Sequence, residues 1–483
     1  MRKIDDSVEI ALVDPLVVRG FGASCGLLLV IKLLYFAGLI SIDMHIWDRL
    51  FKHKEETGEP TVRLGRYTDL YKDEEQYNAW DRALDAYDEG AYWDAIRHFM
   101  DYLRDASLEN AKYWVEDQQL HFAFYQGSKL IQGKVSASHL RAEGRIAFSQ
   151  DMNIGFLRRL IEHNFALKYS RFALDDENYI SLIFDTALVD ASPYKIYYAL
   201  KEIAVHADKQ DDLLIAEFND LDAVNTGHTQ ALPREELDIK FEFFQREIHN
   251  ALSYLESARI NFMQYPAAMG YLLLALCYKL DYFLVPQGTL MEAFEKMHRL
   301  YFAKDDETLH HKVTALREEV QALQSIEQEE FNRQLYTTKS TFGITMPVNH
   351  SQIQEFIQSE FNNINWYLEN QFPEIALAIC DYLVGYCFFN YALPEPDRDL
   401  FRLYYRIREE AYFVHLGLPP RYVNKGQLDK KAIRKALEGI EAEHQARFPN
   451  LKLTTHDLNY QGQAWCARSF LAMVGAQDLT KLY

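Results

Sequence analysis

The chain is poor in the residues from which reactive sites are built at fixed spacings. Only five of its 483 residues are cysteine: Cys25, Cys277, Cys380, Cys387 and Cys466. The count is odd and no CxxC pair occurs, so neither a disulfide framework nor a zinc ribbon is indicated. Cys380 and Cys387 lie seven apart in a helical pattern, as free buried thiols do. Free thiols fit a reducing compartment, and the cytoplasm is the expected location.

Catalytic motifs are missing too. There is no Gly-rich phosphate loop ending in Lys-Ser/Thr, no GxSxG, no HExxH and no dinucleotide fingerprint. His310 and His311 stand beside Asp305, Asp306 and Glu307, but neighbours on a helix diverge by about 100°, so both rarely reach one ion. Arg158 and His163 imitate the Arg-x4-His of certain helical ribonucleases, here on a helix set between strands. No catalytic, cofactor-binding or metal-binding residue is assigned, and no cofactor is expected. Basic runs are absent and the net charge is −20, which excludes a broad nucleic-acid-binding face.

What is abundant is apolar and aromatic. Hydrophobic residues make up 48% of the chain, with 31 Tyr and 30 Phe, enough for a packed core and for contact surfaces. Gly20 to Ile42 is a stretch of 23 residues with one charge, Lys32. That length spans a bilayer with some tilt. Its acidic flank of Asp5, Asp6, Glu9 and Asp14 is not the basic region of a signal peptide. Three readings compete for residues 1–43: a membrane anchor, a buried helix, and an extension of the reading frame ahead of a working start at Met44.

"ALDAYDEGAYWDAIRHFMDYL" reads as a helical hairpin. Trp80, Ala83, Leu84 and Tyr87 form one stripe, Tyr92, Ala95, Ile96, Phe99 and Leu103 another, and Gly90 falls at the break. Ala83, Tyr87, Gly90, Tyr92, Ala95 and Phe99 resemble the small/large pattern of a tetratricopeptide unit. A solenoid needs about three units, and one is found, so the hairpin is expected to pack on the neighbouring segment C-terminal to it.

From Leu120 the period becomes two. "LHFAFYQ", "KLIQGKVSASHL" and "EGRIAFSQ" read as three strands, turning at Gly127-Ser128 and near Arg141-Ala142. A helix comes next with the stripe Ile154, Leu157, Ile161 and Phe165, capped by Asp151 or Asn153. Two strands then flank the turn 175–178, and Ser192-Pro193 opens a helix carrying Ile196, Leu200 and Ile203. This order, α-βββ-α-ββ-α over about 117–217, resembles the type III secretion chaperone fold and the bacterial YbjN-like proteins. The resemblance implies protein binding without catalysis, commonly as a homodimer.

Residues 222–236 read as a polar linker, and nearly everything beyond has helical period. Leu309, Val313, Leu316, Val320 and Leu323 make a coiled-coil seam, internal or between two copies. "AAMGYLLLALCYKLDYFLV" contains Lys279 and Asp281, which favours a buried helix over a membrane span. "HLGLPPRYVNKG" reads as a rigid connector.

The expected class is α+β: an apolar leader (1–43), a tetratricopeptide-like hairpin region (44–115), a chaperone-like antiparallel-sheet domain (116–221), a linker (222–236) and a large all-α region (237–483). The expected function is a non-enzymatic protein-binding adaptor or chaperone-like scaffold, with partner-binding residues unassigned. Two other readings stand beside it: an enzyme with its site in the helical half, and an adaptor tethered to the inner membrane through residues 20–42.

Overall fold

The computed structural model describes residues 62–149, 154–218, 221–224, 227–257 and 259–480. The leader over 1–43 and the Asp151 or Asn153 cap lie outside the described residues. The described chain mixes an antiparallel sheet with many helices, as an α+β class requires.

Helix α1 (Glu74–Asp88) starts on a capping box. The Asp73 carboxylate accepts from the Gln76 amide and the Gln76 side chain accepts from the Asp73 N–H, so two otherwise orphaned donors are satisfied. The chain reverses at Gly90, whose φ of +75° suits a residue without a side chain. Helix α2 (Tyr92–Leu103) then returns. Buried Ala83 and Ala95 let the two axes approach, while Phe99 and Leu103 point inward.

Beyond the hairpin come β1 (Ala111–Glu116), β2 (Gln119–Gln126), β3 (Lys129–Val135), β4 (His139–Ser149), α3 (Ile154–Asn164), β5 (Arg171–Leu174), β6 (Tyr179–Ala187), α4 (Pro193–Glu217) and β7 (Leu221–Ala223). The strand order is β1-β2-β3-β4-β6-β5, all antiparallel, with β7 beside the far end of β4. Alternation puts Leu120, Phe122, Phe124, Ile131, Leu140, Leu182 and Phe184 on one face, where Ile196, Leu200 and Ile203 of α4 cover them. Burying each large side chain contributes about 2 kcal/mol. The hairpin joins the same core: Trp80 meets Tyr194 of α4 edge-on at 5.0 Å.

Four expectations are corrected here. The first sheet segment has four strands, not three, because β1 pairs along its length with β2. The β3–β4 turn lies at 136–138 and not at Arg141-Ala142. Ser136 closes it, its hydroxyl accepting from the Ser138 and His139 amides. The supposed linker 222–236 contains part of β7 and all of β8 (Gln230–Ala231). Finally, the α3 stripe faces outward: Ile154 is 86% exposed, Ile161 62% and Phe165 92%. Strand β5, on which α3 sits, is short, and α3 holds on through buried Leu160.

The helical half runs α5 (Arg234–Glu256), α6 (Pro266–Leu284), α7 (Gly288–Phe302), α8 (Leu309–Gln324), α9 (Gln328–Arg333), β9 (Tyr336–Thr337), β10 (Met346–Pro347), α10 (His350–Glu369), α11 (Pro373–Asn390), β11 (Tyr391–Ala392), α12 (Glu395–Arg408), α13 (Glu410–His415), β12 (Val423–Asn424), β13 (Gln427–Leu428), α14 (Lys430–His444) and α15 (Gln463–Gly475). Helix α6 is the axis, packed on α5, α7, α8 and α11. It is the one described helix long and apolar enough to cross a membrane, and 83% of its apolar window is buried inside the protein. The seam residues Val313, Leu316, Val320 and Leu323 are buried against α5, α6 and α7, within the molecule. Cys277, Cys380, Cys387 and Cys466 are free and buried. The connector after α13 is held by the Glu410 carboxylate, which accepts from the Arg421 and Val423 amides at 2.6 and 2.8 Å.

Two segments cross between the sheet and the helices. Residues 62–72, expected to belong with the hairpin, lie against the helical half. The Gly65 amide donates to the Tyr282 carbonyl, and Arg66 pairs with Asp281. In return, a strap over 336–347 runs back to the sheet. Gln126 holds it, its side-chain oxygen accepting from the Thr341 and Phe342 amides and its amide donating to the Phe342 carbonyl. The Phe342 ring completes the sheet core against Phe124.

Candidate functional site

Among the described residues the sheet is covered on one face only. On the other, the pleat of β1 presents Lys112, Trp114 and Glu116, that of β2 His121, that of β3 Leu130, Gln132 and Lys134, and that of β4 Arg141, Glu143 and Arg145. All of these but Lys112 and Glu116 line a groove of about 530 Å³, in which the Glu143 carboxylate stands among Lys134, Arg141 and Arg145.

Register decides which side chains meet. Trp114 stands opposite His121, His121 opposite Lys134, Lys134 opposite Arg141, and Arg141 opposite Asp185. One row thus crosses five strands. The Trp114 and His121 rings stack with centroids 5.5 Å apart and an interplanar angle of 17°. Glu143 lies 3.6 Å from Arg141 and 3.5 Å from Arg145, and it accepts a 2.9 Å hydrogen bond from the Ser181 hydroxyl. Arg145 rests 4.2 Å from the centre of the Tyr179 ring, and Arg171 pairs with Asp185 at 2.6 Å. Among the described residues no serine, threonine or cysteine lines the groove. Its three cations, one carboxylate, amide and rings can bind and orient a ligand.

On the covered face, directly behind the groove, one glycine makes room for a core ring. A Cβ at Gly133 would sit 1.9 Å from the tip of the Phe122 ring, so the ring packs over bare backbone.

A second opening lies where the sheet meets the helices. It holds about 320 Å³ and is lined by His206, Asp208 and Lys209 of α4, by Gln287, and by Met291, Glu292 and Glu295 of α7. Its ionic groups are spent on one another. The Lys209 ammonium lies 2.5 Å from Glu292 and 2.9 Å from Glu295, and Asp208 accepts from the Ser128 amide. Against the effect of burial, Arg66 and Lys209 hold the Glu295 carboxyl below the usual range. Burial holds the His206 imidazole below its ordinary value.

A third cluster fills the centre of the helical half. The Lys279 ammonium reaches Glu409 at 2.7 Å, Glu247 at 3.3 Å and Asp381 at 3.7 Å. Asp381 also takes Arg408 at 3.1 Å and the Tyr404 hydroxyl at 2.6 Å. Although burial works the other way, Arg408 and Lys279 keep the Asp381 carboxyl below its normal value. The neighbouring cavity holds about 20 Å³, room for a water and nothing larger.

The residues weighed from the sequence do not converge. His311 meets Glu307 at 2.9 Å on an exposed turn, while Lys312 takes Asp305. Among the described residues no group of three metal-ligating side chains comes together. Arg158 is exposed and pairs with Glu162, and the His163 ring lies against Phe172. Sequence reasoning misses the cationic row on the sheet, because the row exists only in the register. Alternation in "AKYWVE" is the available signal for β1, and the Asp117-Gln118 turn hides it. Both residues take positive φ without the Asn-Gly signature of such turns. No family model matches the chain, and no curated protein matches it.

Proposed function

We propose that the chain is a non-enzymatic protein-binding adaptor, and that the open face of its sheet is where the partner docks. The observation that carries this reading is a sheet buried on one side by α4 and the hairpin while its other side presents a 530 Å³ groove of cations and aromatic rings. Supporting it, the ionic groups of the second opening and of the Lys279 cluster pair with one another, and the cavity beside the latter holds only about 20 Å³. The likeness to secretion chaperones and YbjN-like proteins is part of the same proposal and rests on element order alone, with β1 as a strand beyond the order α-βββ-α-ββ-α. Four buried free thiols support placing the adaptor in a reducing cytoplasm.

Photo-crosslinking in cells tests the reading. A photoreactive residue at exposed Gln132 should trap a reproducible partner, and one at exposed Glu438 on α14 should not. Equal trapping at both sites, or none at Gln132, removes the proposal.

A further inference from the structure

The register of the open face sets like charges against each other. Lys134 and Arg141 are direct cross-strand neighbours, with His121 on the far side of Lys134. Like charges placed opposite one another destabilise a sheet. Relief is partial: Asp185 stands on the other side of Arg141, but it pairs with Arg171 at 2.6 Å. Lys134 has no ion pair among the described residues, and Arg141 reaches Glu143 only at 3.6 Å, a carboxylate shared with Arg145. A solvated face gains nothing from this arrangement. A groove that receives an anion does, and guanidinium forks match carboxylates well. At the end of the row the stacked Trp114 and His121 rings offer a flat surface to an apolar or aromatic side chain.

From Trp114 to Arg141 the row crosses three strand gaps, about 14 Å, which is about four residues of extended chain. We infer that the groove takes an extended acidic segment of the partner protein, its carboxylates on Lys134 and Arg141 and a flanking apolar or aromatic residue against Trp114. The inference rests on the adaptor reading and adds the chemistry of the partner. Charge complementarity supports it: the groove is cationic on a chain of net charge −20. The net charge repels every polyanion, and a long phosphate backbone with a charge on each residue more than a short peptide segment, which makes a peptide the favoured anion over a nucleic acid.

The full chain, titrated with a labelled Glu-rich peptide carrying one Phe, should bind it with an affinity that falls as salt rises. The peptide with Gln in place of Glu should not bind. Lys134→Glu and Arg141→Glu should each weaken binding about tenfold, and Trp114→Ala should lower affinity while leaving the salt dependence unchanged. All three side chains are exposed, so the variants should keep the wild-type circular dichroism spectrum, which is measured alongside. Tighter binding of a labelled oligouridine, absence of peptide binding at low salt, or affinity indifferent to both charge reversals would overturn the inference. A partner trapped at Gln132 without acidic-peptide binding removes the acidic segment and keeps the adaptor. Peptide binding without a trapped partner does the reverse.

Discussion

The Arg66 guanidinium grips the Asp281 carboxylate through two hydrogen bonds of 2.9 and 2.8 Å, while its flat face lies 3.6 Å from the centre of the Phe389 ring. Asp281 is buried on α6, so removing the cation leaves a charge without its main partner. Arg66→Ala should lower stability by about 3–5 kcal/mol in urea denaturation. A loss under about 1 kcal/mol would show that residues 62–72 are not tied to the helical half.

His350 gives the fold a proton-dependent tie. Its Nδ1 lies 2.8 Å from the Asp397 carboxylate and its Nε2 3.0 Å from the Gln477 carbonyl, so both ring nitrogens face acceptors and the imidazolium fits best. Burial lowers its pKa, but Asp397 outweighs that effect and raises it above the ordinary value. A raised histidine contributes stability that is fully present below about pH 6.5 and lost as pH rises through the folded pKa. Wild type should therefore lose more stability than His350→Gln between about pH 6 and pH 8.5 in parallel urea titrations. Equal slopes would refute the tie.

Gly133 makes an unusual forecast for a strand. β-Propensity favours valine there, but any Cβ meets the Phe122 ring. Gly133→Ala should destabilise by about 1–3 kcal/mol through overpacking, read as a lowered melting temperature. A rise would mean that the ring moves aside freely.

The Gln126 side chain is the latch on the strap. Gln126→Ala leaves the Thr341 and Phe342 amides buried without that acceptor, each at about 1–3 kcal/mol. Hydrogen exchange at 341–343 should accelerate while that of α6 stays slow. Acceleration spread evenly over the chain would count against a local latch.

Helix α3 separates burial from hydrophobicity. Phe165→Ser, exposed in the turn just past the helix, should change stability by no more than about 0.5 kcal/mol. Leu160→Ala, on the buried side, should lower it by about 2–5 kcal/mol. The reverse ranking would restore the stripe read from the sequence.

The helices are legible wherever caps and periodicity agree. Ser192 accepts from the Lys195 amide ahead of Pro193, Gly90 breaks the hairpin, and Lys279 with Asp281 marks α6 as internal. Strand β1 escapes a sequence reading because its turn takes positive φ at Asp117 and Gln118, residues that do not advertise it. The α3 stripe is real as a pattern, yet its direction depends on how much sheet lies beneath, and β5 is only four residues long. The candidate groove is the least legible element. Lys134 and Arg141 are seven residues apart in a sequence full of charges, and only the Ser136 turn makes them neighbours.

The strap has a consequence for how the molecule comes into being. The sheet and its covering helix are complete in sequence by β7, but the Phe342 ring that closes their core and the Thr341 contacts to Asn110 and Tyr125 come much later. A nascent chain leaving the ribosome must hold a nearly finished sheet with an open seam until the region past Gly343 has been synthesised, and such long-range closure is slow. Cutting the gene between the two halves would therefore yield a sheet missing its last ring and a helical bundle missing Arg66, so the two halves are expected to be inherited and expressed together.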